Sequence, residues 1–144
     1  TGGIIHNVGK VVLALFVQNT FKDIMETVQT RNIPFDEAEK EIMGFDHQEV
    51  GEKILTKWNF PSVLRSIVRF YHAPQSAPAE HAMEVSMVHV ANIVTVMAGI
   101  GVGADGLYHE INSFAVKKTG LTGEEIEDLF AHIPETVKQI RDIL

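Results

Sequence analysis

The sequence predicts an all-α domain, folded as a compact irregular helical bundle, and three observations support this class. Apolar residues recur at the three- and four-residue spacing of helices in several segments, most clearly in residues 4–16 and 63–71. Residues that start and stop helices separate these segments. No segment shows the alternating pattern of a half-buried strand. With 144 residues, 45% of them hydrophobic, the chain is long enough for one domain with its own core.

Three helices are expected before residue 44. Residues 4–16 carry apolar side chains at helical spacing, which predicts one amphipathic helix. Residues 21–29 and 35–43 predict two more. Pro34 separates them, because a residue that precedes proline disfavours helical backbone. Asp36 is the expected cap of the second of these two helices.

Signals for helix ends and starts continue after this region. Gly44 supplies a helix C-terminus, since glycine adopts left-handed backbone at little cost. Asp46 and Glu49 follow with the N-cap and N3 spacing of a helix that extends to about Trp58. The Pro-Ser pair at residues 61–62 then begins another helix.

The most apolar segment, residues 82–100, predicts a central and largely buried helix. Its length approaches that of a membrane span, but polar groups are costly in hydrocarbon. Five interrupt it: Glu84, Ser86, His89, Asn92 and Thr95. We therefore expect no contact with a membrane. The glycines of residues 99–106 follow a helix rather than a strand, so they predict a flexible connection and not a nucleotide-binding loop.

Two helices are expected near the C-terminus. Thr122 and Glu125 have the spacing of a capping box, in which each side chain bonds the backbone N–H of the other residue. Apolar residues follow on one helical face as far as Ile133. Pro134 is expected to begin a separate final helix, because proline is favoured in first turns.

The charge balance and the absence of cysteine exclude several classes of function. Twelve basic and nineteen acidic residues give a net charge of −7, with no basic run, so nucleic acid is not an expected partner. The chain has no cysteine, which rules out disulfides, thiolate metal sites and a cysteine nucleophile. This composition fits a cytoplasmic protein.

The histidines fall into two groups. His81, His109 and His132 are expected to be core residues whose ring nitrogens are satisfied by hydrogen bonds. Four others each lie on or beside an apolar helix and match a known pattern by their order: His6, His47, His72 and His89.

That pattern is a family resemblance. Residues 2–10, GGIIHNVGK, resemble the Gly-Leu-Leu-His-Asp-Ile-Gly-Lys segment of the HD superfamily of metal-dependent phosphohydrolases. Residues 41–51, EIMGFDHQEVG, resemble the Glu-x-x-x-Gly-x-Asp-His-x-x-Val-Gly motif of the HDOD family. Residues 58–61 and 67–74 are similar to that family's Trp-x-Leu-Pro and Ile-x-x-His-His-x-Pro stretches, and residues 88–92 to its Val-His-Leu-Ala-Asp.

The resemblance extends over nearly the whole chain, because residues 120–129 are similar to the family's closing Gly-Leu-Ser-capped helix. It identifies residues 1–144 as the C-terminal part of a single HDOD-like helical domain of the HD-domain type, preceded by a further helical region. It also implies a regulatory role, since HDOD domains occur in bacterial signalling proteins, joined to receiver, sensory or output domains.

Four positions depart from the metal-binding pattern of the HD phosphohydrolases. In that superfamily, histidine nitrogens and aspartate oxygens hold a divalent metal that supplies a hydroxide nucleophile. Here Asn7 and Asn92 replace aspartates. Tyr71 replaces the first histidine of the His-His pair, and Ala73 stands where an acidic residue is common. Because an amide is neutral, two ligand charges are lost. Neither a metal nor another cofactor is expected.

The remaining residues are expected to form a polar, degenerate metal pocket: His6, Asn7, Lys10, Asp46, His47, Tyr71, His72, His89 and Asn92. The imidazoles and amides are expected to hydrogen-bond one another, with Asp46 as an N-cap and the Lys10 ammonium in water.

The predicted function is a non-catalytic signalling module with a protein partner. One alternative is a divergent phosphohydrolase acting on a nucleotide or cyclic dinucleotide, with a single transition metal. Its ligands would be the four histidines of that pocket: His6, His47, His72 and His89. A second alternative is a purely structural helical module without a ligand.

Overall fold

The computed structural model describes residues 1–100 and 110–143, and within these ranges the all-α prediction is confirmed, since no strand occurs. The connection predicted at residues 99–106 lies mostly, and His109 lies entirely, outside the described residues. The helices are α1 (Gly2–Ile5), α2 (Val8–Phe16), α3 (Gln18–Arg31), α4 (Phe35–Met43), α5 (His47–Lys57), α6 (Ser62–Phe70), α7 (Ala82–Met97), α8 (Ser113–Thr119) and α9 (Gly123–Ile143), with a 3-10 turn at Pro74–Ser76.

The single helix predicted over residues 4–16 is wrong, because the chain breaks at His6 and Asn7 into α1 and α2. Nδ1 of His6 lies 2.6 Å from the carbonyl oxygen of Gly3. A ring N–H donated to that carbonyl satisfies one of the acceptors that a helix leaves at its C-terminus. The break therefore depends on a side-chain hydrogen bond that apolar periodicity does not reveal.

Most apolar side chains of α1 and α2 face away from the described core. Ile4 is 88% exposed, Leu15 70% and Phe16 81%, whereas Gly9 and Leu13 of α2 are buried. The periodicity correctly identifies an apolar face, but much of that face has no covering element within the described residues. Exposed apolar patches of this kind are typical of contact surfaces.

α3 and α4 pack together through one apolar cluster: Ile24, Val28, Phe35 and Ala38, with Met25, Ile33, Ile42 and Met43 around them. The expected cap by Asp36 is wrong, because Pro34 occupies the N-cap position and Asp36 lies in the first turn of α4. There its negative charge is next to the positive end of the helix dipole. Gly44 ends α4 with φ 81°, as predicted.

The capping predictions around α5 are confirmed. The side chain of Asp46 accepts a hydrogen bond of 2.7 Å from the backbone N–H of Glu49. The helix ends at Lys57 with Trp58 as its C-cap. Pro61 precedes α6 at the N-cap position. These caps fix where α5 and α6 begin, and with them the positions of two of the candidate site residues.

α2 and α5 cross in very close contact. A Cβ atom added at Gly9 would lie 1.8 Å from the carbonyl oxygen of His47 and 3.0 Å from the backbone nitrogen of Gly51. A Cβ at Gly51 would lie 2.5 Å from a methyl group of Val68 on α6. Glycine at both positions therefore brings the backbone of α2 against the first turn of α5.

α7 packs against α1, α6, α8 and α9, which gives it the central position that the sequence predicts. Its contacts with the C-terminal helices form a second apolar cluster: Val90, Val94 and Ala115, with Ile111, Leu121, Ile126 and Ile133. One face of α7 stays open, where Met83 is 42% and Met87 58% exposed. Among the described residues, no helix has both the length and the apolar character needed to cross a membrane.

The capping box that begins α9 is confirmed. Glu125 donates its backbone N–H to the Thr122 hydroxyl at 3.2 Å, and its carboxylate accepts from the Thr122 backbone N–H at 2.8 Å. The separate final helix expected at Pro134 is wrong, because α9 continues through that residue. Proline removes one backbone hydrogen bond inside a helix, but Pro134 is exposed, so water can reach the carbonyl that loses its partner.

Candidate functional site

Tyr71 lies at the centre of the pocket that the sequence predicts. It is the C-cap residue of α6 and its side chain is completely buried. The hydroxyl lies 2.7 Å from Nε2 of His47 and donates a 2.9 Å hydrogen bond to Oδ1 of Asn7. The rings of His6 and His72 pack against the phenol, with centroids at 4.9 and 4.0 Å. One residue therefore contacts four of the predicted site residues.

His47 is paired with a buried carboxylate. Its Nδ1 lies 2.5 Å from Oε2 of Glu39, and its backbone N–H donates to the same oxygen at 2.9 Å. Because the Tyr71 hydroxyl donates to Asn7, it accepts from Nε2–H of His47. The ring and the backbone N–H of His47 therefore both face the Glu39 carboxylate.

Both ring nitrogens of His89 form hydrogen bonds with backbone groups. Nδ1–H donates a 2.7 Å hydrogen bond to the backbone carbonyl of Tyr71. Nε2 accepts a 2.9 Å hydrogen bond from the backbone N–H of Asn112, which precedes α8. These two bonds define a neutral imidazole with its proton on Nδ1. His89 therefore links the end of α6 to the start of α8.

His6 and Asn92 meet across the interface of α1 and α7. Nε2 of His6 lies 3.2 Å from the side-chain amide oxygen of Asn92. Burial lowers the pKa of His6 below its usual value, because the charged ring loses hydration, and the positive charge of Lys10 acts in the same direction. Hydrogen bonds to Gly3 and Asn92 oppose this shift without cancelling it. The ring is therefore predominantly neutral near pH 7 and donates to only one of these two oxygens at a time, because a neutral imidazole has one N–H.

Asp46 and Lys10 take up positions at the edges of this pocket. Besides capping α5, Asp46 forms an ion pair with Lys40, whose Nζ lies 2.8 Å from the carboxylate oxygen Oδ2. A guanidinium nitrogen of Arg69 lies 3.8 Å from the same oxygen. Lys10 lies 5.5 Å from the ring centre of Phe35, a cation–π distance. The Asp46 carboxylate therefore holds α4, α5 and α6 together and is not directed at Tyr71.

The histidines that were expected to be structural differ from one another. His81 is partly buried, and its Nε2 lies 3.1 Å from the Ser62 hydroxyl, so the expectation holds for this hydrogen bond but not for a core position. His132 is exposed on α9 and donates Nδ1–H to the carbonyl of Asp128 at 2.7 Å, so it is not a core residue.

The arrangement does not fit a metal ion. His6, His47 and His89 each have both ring nitrogens within hydrogen-bond distance of a protein group. Within the described residues, no group of three or more His, Cys, Asp or Glu side chains is placed to hold a metal. A site built from His6, His47, His72 and His89 would have to break several of these bonds first.

The sequence prediction missed two residues of the site, Glu39 and Asn112. Glu39 is 2% exposed although it stands among charged residues of α4. Its spacing from Phe35, Ala38 and Ile42 places it on the apolar face of that helix, and this was the available signal. Asn112 is distant in sequence from its partners, and its side chain also donates to Gln75 at 2.9 Å. No local pattern indicates that contact.

Comparisons with known proteins find similarity to HDOD domain proteins. The family model of the HDOD domain matches residues 1–74. An uncharacterized protein of Treponema pallidum (strain Nichols) is 30% identical over 91 residues, which is 63% of this chain and 18% of that protein. The crystal structure of an HDOD domain protein of unknown function from Geobacter sulfurreducens matches 98% of this chain, with a TM-score of 0.75 and 20% identity. This chain spans only half of that second protein.

Proposed function

Because this chain belongs to the HDOD domain family, we propose that it is a non-catalytic regulatory module of bacterial signal transduction that acts through protein–protein contacts. One observation carries the proposal: the Tyr71 hydroxyl lies between Nε2 of His47 and Oδ1 of Asn7, at 2.7 and 2.9 Å. At positions where the HD phosphohydrolases that the sequence resembles hold a metal, this chain has a closed set of hydrogen bonds.

The chemistry of the side chains that could act as metal ligands supports the absence of a resident metal or other cofactor. Metal-dependent hydrolysis needs ligands that hold the ion and leave a position open for water. Asn7 and Asn92 supply no charge, and both ring nitrogens of His47 already lie within hydrogen-bond distance of Glu39 and Tyr71. Loss of the hydrogen bond from His47 to the buried Tyr71 hydroxyl would cost about 1–3 kcal/mol.

The exposed apolar face of α1 and α2 supports the interaction part of the proposal. We expect it to be covered in the full protein, either by the helical region predicted to precede residues 1–144 or by a protein partner. We propose that the signal which this module transmits comes from linked receiver, sensory or output domains.

The proposed location is the cytoplasm, because a chain without cysteine suits that reducing compartment.

A hydrolysis assay tests the non-catalytic part directly. The protein would be incubated with Mn²⁺, Fe²⁺, Ni²⁺ or Zn²⁺ and with nucleotides, cyclic dinucleotides or bis-p-nitrophenyl phosphate. We expect no release of phosphate or nitrophenol above the metal-only control. Metal-dependent turnover that disappears in the His6→Ala variant would instead establish the divergent phosphohydrolase. Turnover unaffected by that substitution would point to a contaminant.

Cross-linking of the full-length parent in its own cells tests the interaction part. We expect one protein or one linked domain to be cross-linked reproducibly through α1 and α2. Phe16→Ala changes the exposed face of α2 and should weaken the cross-link. Met97→Ala changes an exposed apolar residue elsewhere and is the matched control, which should leave the cross-link unchanged. If no reproducible cross-link forms, the chain is a structural module and the regulatory proposal fails.

A further inference from the structure

A second surface lies at the beginning of α9, away from the Tyr71 pocket. It is a shallow cleft of about 340 Å³ lined by two leucines, two acids and one histidine: Leu121, Glu125, Asp128, Leu129 and His132. None of these residues belongs to the resemblance with the HD metal site. The cleft is therefore independent of the degenerate pocket.

The apolar part of the cleft is anchored to the core. Leu121 is partly buried and packs against the cluster formed by α7 and α8. Leu129 lies in the second turn of α9 and is 48% exposed. Residues spaced by four lie above one another on a helix, so Glu125 and Leu129 share one face of α9, and Leu121, which precedes the helix, lines the same cleft. An apolar side chain placed in this cleft would contact both leucines and cover Leu129.

The charged part of the cleft is strongly acidic. Between Lys118 and Lys138 the sequence has no Lys or Arg but five acids: Glu124, Glu125, Glu127, Asp128 and Glu135. Within the described residues, none of these five forms an ion pair with a Lys or Arg side chain. The positive end of the α9 dipole compensates them only in part. The cleft therefore presents a local excess of negative charge.

The Glu125 carboxylate is held in its charged form by hydrogen bonds. Hydrogen bonds from the backbone N–H and hydroxyl of Thr122 lower the pKa of Glu125. His132 donates to the backbone carbonyl of Asp128, so it leaves the Asp128 carboxylate available. Within the described part of the chain, the two acids and the histidine do not form a group that could hold a metal. A metal ion is thus not the ligand that this cleft fits.

The geometry points to a docking site for a cationic amphipathic helix of a partner protein. Its apolar side chains would lie on Leu121 and Leu129, and Lys or Arg residues one turn away would reach Glu125 and Asp128. Opposite charges at the rim fix the orientation of such a helix and raise its association rate. This inference rests on the proposed role as an interaction module and adds a second contact surface, separate from that of α1 and α2, with the chemistry of the partner that it fits.

A designed peptide serves as the probe. It has about 15 residues, with leucine on one helical face and lysine on the other, and it is titrated into the isotope-labelled protein while amide resonances are recorded. A control peptide has glutamate in place of every lysine. We expect shifts concentrated at residues 121–132 with the lysine peptide and none with the glutamate peptide.

Matched variants locate the contact. Leu129→Ala is expected to weaken binding about tenfold and Asp128→Asn about threefold, because an anchor contributes more than a rim charge. Phe130→Ala and Glu135→Gln are the controls on the same helix, and they should leave the dissociation constant unchanged. All four residues are exposed, so the variants should fold like the parent, which circular dichroism would check.

Three outcomes would overturn the inference. Equal weakening by Asp128→Asn and Glu135→Gln would mean nonspecific attraction between a basic peptide and an acidic protein. Shifts centred on α1 and α2 would place the binding surface elsewhere. No saturable binding of the lysine peptide would remove the site. Each outcome leaves the proposed regulatory function intact, because the hydrolysis and cross-linking assays test that function separately.

Discussion

The phenol oxygen of Tyr71 lies 2.7 Å from Nε2 of His47, and neither side chain is accessible to water. The same hydroxyl donates to Asn7 at the N-cap of α2. The backbone carbonyl of Tyr71 also accepts from His89 on α7. Tyr71 therefore joins four helices, and the pocket that resembles a metal site acts in this chain as a structural junction.

Tyr71→Phe removes this junction while preserving the shape of the ring. The substitution leaves Nε2 of His47 and Oδ1 of Asn7 without their buried partner. We expect the free energy of unfolding to fall by about 1–3 kcal/mol. Urea denaturation followed by circular dichroism measures it, and Thr136→Val, which removes an exposed hydroxyl from α9, is the control. A loss no larger than that of the control would mean that the Tyr71 bonds do not hold the helices together.

Glu39→Gln tests the buried pair with His47. The amide keeps the volume of the carboxylate but has no charge, so it cannot stabilise an additional proton on Nδ1. We expect a loss of about 2 kcal/mol or more, because a buried charged partner is removed. Glu37→Gln is the matched control on the same helix, since Glu37 is exposed, and it should change stability by less than about 0.5 kcal/mol. Similar small effects for both variants would contradict the pairing.

Gly9→Ala tests the close crossing of α2 and α5. The added methyl group would lie 1.8 Å from the carbonyl oxygen of His47, which is backbone and cannot rotate away. We expect destabilisation of about 3 kcal/mol, with a lower midpoint of thermal unfolding. Gly3→Ala is the control, because its added Cβ would meet no atom within 4 Å beyond its chain neighbours and the backbone of its own helix. A Gly9→Ala protein as stable as Gly3→Ala would show that the helices do not approach so closely.

The position of helix ends followed closely from the sequence. Gly44, Asp46, Thr122 and Glu125 act locally, through their own backbone or hydrogen bonds a few residues away. Pro134 was misjudged because proline is favoured in a first turn and yet tolerated within an exposed helix. Local signals therefore defined most elements but could not decide between two locally acceptable conformations.

Burial and the site's hydrogen bonds were less accessible to sequence reasoning. The substitution of histidine by Tyr71 was recognised, but its hydrogen bonds to Asn7 and His47 depend on how α2, α5 and α6 are placed in space. The exposed apolar side chains of α1 and α2 show the same limit, because periodicity indicates an apolar face without identifying what covers it. Contacts between distant segments thus account for most of what was missed.

The pH dependence of stability should reveal His6. Burial lowers its pKa in the folded protein below the ordinary value of 6.5, so below that pH the unfolded chain binds more protons. The free energy of unfolding should therefore fall as the pH is lowered through the folded-state pKa, and the contribution of His6 should be fully present above 6.5. Denaturation of the parent and of His6→Asn between about pH 7 and pH 5 measures this difference.

The other histidines are common to both proteins, so the comparison isolates His6. The parent should lose more stability on acidification than His6→Asn does, while the exposed His132→Asn should follow the parent. Parallel pH profiles for the parent and His6→Asn would mean that the ring is not kept neutral by burial.

Metal content tests the central claim most directly. The protein would be purified without chelator, without added metal and without a metal affinity step, and analysed for iron, manganese, nickel and zinc by elemental mass spectrometry. Since His6, His47 and His89 direct their ring nitrogens to protein groups, we predict far less than one metal ion per chain. One or more ions per chain, lost in the His47→Ala variant, would contradict the account and restore the metal-dependent hydrolase as the leading interpretation.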